Sequence, residues 1–266
     1  MSAAARAAHA VVDSPPHLIV DDTARLICEA VGSPSPLDFH LAHPGEPVLA
    51  AARLSTATRS AYTERLLRAS GIRQYVVLGA GIDTSAWRIP ASCTVWHVDL
   101  PGVLAWRSSL LERADVPDRG VSVPADLSAD DPVVELVHAG LRADEPTFVS
   151  WLGVSMYLDA EAVQRNFASL GTLAPGSEFV FDHIVPAADR DRAGSDYAKA
   201  VAAAVGAQGE PWRCTPVLTE LDQWLADAGW STVESIGEAD SVPPGFWDRA
   251  DALHPMNLVR FTHARL

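Results

Sequence analysis

The segment Val76-Val77-Leu78-Gly79-Ala80-Gly81-Ile82-Asp83-Thr84 runs apolar residues into a Gly-Ala-Gly turn. Glycines at such a turn let the backbone bend tightly and let a ligand approach it closely. Asp99 follows about 20 residues later, at the end of a second apolar run, and in Rossmann-type folds an acid there accepts hydrogen bonds from ribose hydroxyls. The bland alternative is an ordinary tight turn, with Asp99 serving the helix that begins at Pro101. A dinucleotide turn would carry a third glycine where this chain has Thr84, preceded by Asp83. A carboxylate repels a pyrophosphate but tolerates a sulfonium and an ammonium. The turn therefore favours S-adenosylmethionine over NAD or FAD, with Gly79, Ala80, Gly81, Asp83 and Asp99 as cofactor residues.

A second candidate is His183, at the end of the apolar run EFVFDHI. Ligands in open α/β sheets bind at the carboxyl ends of strands, where a histidine is a potential general base. The competing reading is a hydrogen-bonded histidine at a strand end. Cys28, Cys93 and Cys214 lie far apart and form no CxxC pair, so neither a zinc knuckle nor a redox pair is legible. All three are expected as buried thiols, and no metal is expected.

These residues need elements to position them. Short apolar runs at 74–78, 94–98, 121–123, 147–152 and 178–184 read as strands. Helical patterns precede them at 47–69, where Leu49, Leu54, Tyr62, Leu66 and Leu67 are expected to be buried, and separate them at 101–114, 132–142 and 159–173. Residues 33–47 read as a Pro- and Gly-rich loop. Alternating strands and helices imply a mostly parallel sheet covered on both faces. A helix at 219–228 and strands at 231–236 and 257–264 close the chain, and the absence of a crossover helix between those strands implies an antiparallel pair at the sheet edge. The expectation is α/β: a seven-stranded doubly wound sheet in a single domain, 1–266. An N-terminal helical cap would span 1–70, and a helical lid, with a helix near 197–204, would lie within 185–217.

The chain has 266 residues and a formal net charge of −14. Such acidity, without a Lys/Arg cluster, argues against nucleic acid as substrate. No apolar run reaches the roughly 20 residues of a membrane span. The first ten residues lack an apolar signal core, so a cytoplasmic location is expected.

The joint pattern resembles the leucine carboxyl methyltransferase family. The resemblance is carried by Thr58-Arg59 and Glu64, by QYVVLGAGIDTSAWRIP at 74–90, by Val98-Asp99-Leu100-Pro101, by WLGVSMYL at 151–158, by PGSEFVFD at 175–182 and by Gly209-Glu210-Pro211-Trp212. It implies a class I methyltransferase-like Rossmann fold that uses S-adenosyl-L-methionine. It places the cofactor against Arg59, the glycine turn, Asp99 with Leu100, the pair Asp126-Leu127, and Trp151 with Leu152. Arg59 would grip the methionine carboxylate. Asp126 would accept from the adenine amine, and Leu127 would pack on the ring. Many relatives have Glu at the position of Leu152, and that polar contact is missing here. On the acceptor side stand His183 and Tyr157 as catalytic candidates, with Tyr157, Glu210 and Trp212 as substrate contacts.

The expected function is O-methylation of a small molecule, a carboxylate or hydroxyl of a natural-product intermediate. Two other readings are a nicotinamide-dependent oxidoreductase and a non-catalytic methyltransferase-like binding protein. The first is opposed by Asp83 and Thr84 and by the lack of a Tyr-x-x-x-Lys pair, since Tyr197 and Lys199 are wrongly spaced. The second draws on Leu152. Leu152-Gly153-Val154-Ser155 also lacks the Asn/Asp-Pro-Pro-aromatic motif of amino-methylating enzymes.

Overall fold

The computed structural model describes residues 1–206 and 211–266. Its centre is a seven-stranded sheet in the order β3-β2-β1-β4-β5-β7-β6. The strands are β1 (Gln74–Leu78), β2 (Thr94–Asp99), β3 (Val121–Pro124), β4 (Thr147–Trp151), β5 (Glu178–Ile184), β6 (Ser231–Gly237) and β7 (Val259–Arg265). Neighbours among β1 to β5 pair in parallel; β7 pairs antiparallel with both β5 and β6. The closing pair lies at the edge as expected, and its second member is inserted between β5 and the first.

Strand alternation sends successive side chains to opposite faces. Val76, Leu78, Phe179 and Phe181 pack on one side with Val133 and Leu136 of α6 (Pro132–His138), Val163 and Phe167 of α7 (Ala160–Leu170), and Leu221 and Leu225 of α9 (Leu218–Asp227). Tyr75, Val77, Val180 and Ile184 pack on the other with Tyr62 and Leu67 of α4 (Pro47–Ser70) and Ala198 of α8 (Arg192–Gly206). Both faces are covered, which is why β1, β4 and β5 read as unbroken apolar runs. α5 (Pro101–Arg113) packs through Leu110 and Leu111 on Ile27 of α2 (Asp22–Val31).

The strand order reverses between β1 and β4, which makes their carboxyl ends the topological switch point. Ahead of β1, α1 (Ser2–Val12), α2 and α3 (Pro36–Ala42) precede α4. The loop expected at 33–47 is corrected in part by α3. Its start is a capping box, Ser35 with Asp38, with Pro36 in the first turn, where a missing N–H costs nothing. α6 ends four residues earlier than its apolar pattern suggests, because Gly140 turns left-handed (φ +92°) and Leu141 N bonds back to Leu136 O at 2.9 Å.

In α4, Leu54, Tyr62 and Leu67 are buried, whereas Leu49 and Leu66 are half-buried. The helix also buries Arg53, which is paired with Asp13 at 2.9 Å. Cys28 and Cys214 are buried, but Cys93 is half-buried, against expectation, because it stands at the open start of β2. Among the described residues no helix is long and apolar enough to cross a membrane.

Candidate functional site

A cavity of about 270 Å³ lies at the switch point. Its floor is the turn after β1, and its wall includes Leu152, Gly153 and Val154 after β4. Gly79 holds φ +63°, and a Cβ there would run into Val154, so only glycine fits. The turn is then pinned on every side. Ala80 N donates to Val98 O at 3.0 Å, and Gly81 N donates to Asp99 Oδ2 at 2.7 Å. Arg107 donates to Gly81 O at 3.2 Å and to Asp83 O at 2.6 Å, and Arg6 donates to Ile82 O at 2.7 Å.

Asp83 contributes to this scaffold. Its carboxylate accepts from Ser85 N at 2.8 Å and from the Ser85 hydroxyl at 2.5 Å. Burial alone would push its carboxyl up, but Arg6 and Arg88 outweigh that and hold it below the usual range. Beside it, Asp21 takes Arg6 at 2.8 Å, Arg88 at 2.7 Å and the Thr84 hydroxyl at 2.6 Å. Buried carboxylates matched this way by guanidinium groups make the loop rigid before any ligand arrives.

The opposite wall is built on Asp182 of β5, which is fully buried. Arg59 Nη1 donates to Asp182 Oδ2 at 3.1 Å, Gly153 N donates to Oδ1 at 2.6 Å, and the Ser155 hydroxyl donates to the main-chain oxygen at 2.8 Å. Burial raises the Asp182 carboxyl, and Arg59 and the Gly153 N–H partly reverse this. Arg59 reaches the cavity from α4, and its hydrogen bond to Asp182 leaves other N–H donors of the guanidinium uncommitted among the described residues.

The expected residues therefore separate. Arg59, Gly79, Ala80, Gly81, Asp83 and Leu152 line the cavity. Asp99 touches it through Gly81 N, and its Oδ1 accepts from Leu100 N at 2.8 Å, while the Leu100 side chain is exposed. Asp126 and Leu127 lie beyond the cavity at the end of β3. Asp126 Oδ1 accepts from Ser128 N at 2.8 Å, and the Leu127 side chain is buried in the core. Trp151 is wholly buried, stacked on Phe179 and edge-on to Phe167.

Tyr157 and Trp212 pack against the core on the α4 side, with Arg190 over the Trp212 ring at 5.6 Å. His183 is buried near the end of β5. Strand alternation places it on the Phe181 face, opposite Asp182 and Arg59. Burial, and Arg260 after it, lower its pKa to about 4. Glu210 lies outside the described residues. Sequence reasoning missed Asp182, whose signal was an acid in the interior of a wholly buried strand. It also missed Arg6 and Asp21, for which no motif existed.

The family model for leucine carboxyl methyltransferase matches residues 1–171. A protein of Mycobacteroides abscessus that carries the name of an S-adenosyl-L-methionine-dependent methyltransferase is 34% identical over 270 residues, covering 89% of this chain and 82% of that protein. One from Mycolicibacterium smegmatis with the same name is 34% identical over 194 residues, 65% of this chain and 58% of that protein. The crystal structure of a protein from Thermobifida fusca YX, described as a methyltransferase, superposes with a TM-score of 0.62 at 20% identity, over 100% of this chain and 94% of that one, and so supports the fold. The chain belongs to the leucine carboxyl methyltransferase family.

Proposed function

We propose that this chain is an O-methyltransferase that uses S-adenosyl-L-methionine and acts on a small-molecule acceptor, a carboxylate in preference to a hydroxyl. The observation that carries this is the cavity at the switch point, with a rigid glycine turn on one side and Arg59 on the other. The residues suit such a cofactor. Gly81 leaves open space where a side chain would stand, and Asp99 keeps free lone pairs for ribose hydroxyls. Arg59 has N–H donors for an amino-acid carboxylate, and Asp182 fixes its position.

The bound cofactor supplies a methyl group already activated by its sulfonium, so alignment and exclusion of water are what the protein must add. Arg59, Asp99 and the turn would hold the donor in register. A carboxylate acceptor needs no proton removed, which agrees with a His183 that faces away from Arg59 and that burial makes a weak base, with its pKa lowered to about 4. Tyr157, Trp212 and Glu210 belong to the acceptor side in this reading, with 185–217 as lid and 1–70 as cap. A natural-product intermediate in the cytoplasm would be a fitting acceptor. Family membership disfavours the nicotinamide reading, and the intact Arg59–Asp182 pair disfavours a purely binding role despite Leu152.

Calorimetry tests the cofactor half directly. S-adenosylhomocysteine should bind the full chain, and NADH should not bind comparably. Tight NADH binding without any response to S-adenosylhomocysteine would overturn the reading.

A further inference from the structure

Neither Arg107 nor His97 lines the cofactor cavity, yet both bear on its glycine turn. Arg107 of α5 is 1% exposed. Its Nη1 donates to two turn carbonyls, Gly81 O and Asp83 O, and its Nη2 donates to His97 Nε2 at 3.2 Å. The Trp87 ring lies 5.7 Å from the guanidinium carbon. Arginine has no acceptor, so His97 Nε2 accepts and the imidazole carries its proton on Nδ1. Burial, and Arg107 after it, lower the His97 pKa to about 3, so the ring keeps this neutral form at pH 7.

His97 is wholly buried in β2, in register between Val77 of β1 and Ser122 of β3. Its side chain leaves the strand on the same face as Asp99, two residues on. β2 therefore grips the turn twice. Asp99 Oδ2 accepts from Gly81 N, and His97 holds the arginine that takes Gly81 O. The other edge of the imidazole fills the space beside Gly120, an exposed residue just ahead of β3. A Cβ on Gly120 would stand 2.5 Å from both Nδ1 and Cε1 of His97, and the φ of Gly120 is not left-handed. What this glycine supplies is room for the ring.

We propose that His97 is a positioning residue of the cofactor site, acting through Arg107 to hold Gly81 and, with it, the Asp99 carboxylate assigned to the ribose. The assignment rests on the methyltransferase reading above and adds to it a residue that touches no ligand. Its basis is the geometry of a guanidinium. Nη1 is spent on the turn and Nη2 on His97, so the planar group is fixed at both ends. Without an acceptor at position 97, Nη2 is left buried and unmet, and the side chain turns toward another acceptor. Gly81 then keeps its bond to Asp99 but loses the restraint on its carbonyl, while still holding a φ of +46°. A cofactor that needs Gly81 and Asp99 in register must order them on binding, which lowers its affinity.

The test uses the full chain and two readouts: calorimetric titration with S-adenosylhomocysteine, and hydrogen exchange of the Gly81 amide without any ligand. His97→Leu removes the acceptor. It should weaken binding about tenfold, the scale of one hydrogen bond to a charged group, and should speed exchange at Gly81. His97→Gln offers a carbonyl oxygen at similar reach and should restore both. Gly120→Ala acts from the surface, where its methyl group displaces the imidazole. Alone it should weaken binding and speed exchange; added to His97→Leu it should change neither. It also carries the test if His97→Leu does not fold. Wild-type affinity and wild-type Gly81 exchange in the variants that fold, or a loss in His97→Gln equal to that in His97→Leu or Gly120→Ala, would overturn the proposal. Absence of S-adenosylhomocysteine binding by the wild type would instead overturn the methyltransferase reading, and exchange at Gly81 would still decide whether His97 holds the turn.

Discussion

The guanidinium of Arg59 lies directly over the α-carbon of Gly153: a Cβ at that position would stand 2.6 Å from Nη1. The two residues come from α4 and from the turn after β4, and the two oxygens of Asp182 hold both. The closeness depends on glycine twice, once for space and once for its φ of +72°.

Gly153→Ala is therefore expected to displace Arg59. Fold stability should fall by about 1–3 kcal/mol, the scale of a strained left-handed residue. Affinity for S-adenosylhomocysteine should fall further than the melting temperature suggests, because the displaced group is a proposed ligand contact. Calorimetry beside a thermal melt separates the two effects. Undiminished affinity in a folded variant would remove Arg59 from the cofactor site.

Asp99 should behave differently. It grips Gly81 N and has capacity left for ribose hydroxyls. Asp99→Ala should cost about 1.5–3 kcal/mol of cofactor binding, the usual range for a hydrogen bond to a charged group. Asp99→Asn keeps an acceptor oxygen for Gly81 N and should lose less. Equal affinities in wild type, Asp99→Ala and Asp99→Asn would reject the role.

The sheet was legible because the central strands are buried on both faces and mostly apolar, and because Gly79 follows β1 while Asp99 and Pro124 end β2 and β3. β1 and β5 have the limits that their sequence patterns suggest. The glycine turn was legible because its conformation demands residue types that are rare elsewhere. α1 to α3 were less so, since their stability comes from packing on one another and on α4 and from buried pairs such as Arg6–Asp21, distant in sequence. Asp182 and His97 illustrate the same limit. Their roles arise from what tertiary structure places opposite them, Arg59 in one case and Arg107 in the other, and no local spacing encodes that.

Buried titrating groups give stability a pH dependence of determinate sign. Glu238 has its pKa raised from 4.5 to about 8 by burial. Its favourable contribution is complete below the unfolded value and is lost as pH rises toward 8. His40 is lowered to about 4 by burial and then by Arg53, so its contribution is present above about 6.5 and is lost as pH falls. Chemical denaturation from pH 5 to 8 should show wild-type stability declining relative to Glu238→Gln, by at most about 1.4 kcal/mol per pH unit. A constant difference across that range would mean that Glu238 is ionised throughout.

Whether methyl transfer here uses a general base turns on His183. His183 is buried on the Phe181 face of β5, is neutral at pH 7, and has a pKa near 4. Its neighbour Asp182 points the other way, to Arg59 and Gly153. With a carboxylate acceptor, His183→Ala should leave kcat within about tenfold, because a general base contributes 10²–10⁴-fold and none is in use. The variant should lose stability instead, since it leaves a cavity in a packed region. The wild-type kcat profile should show no limb near pH 4, where His183 gives up its proton. A hydroxyl acceptor reverses both expectations. A folded His183→Ala protein would then lose two or more orders of magnitude in kcat, and the wild-type rate would climb with pH as the imidazole gives up its proton. That outcome would assign the base to His183 and would require the strand end to turn toward the acceptor when ligands bind.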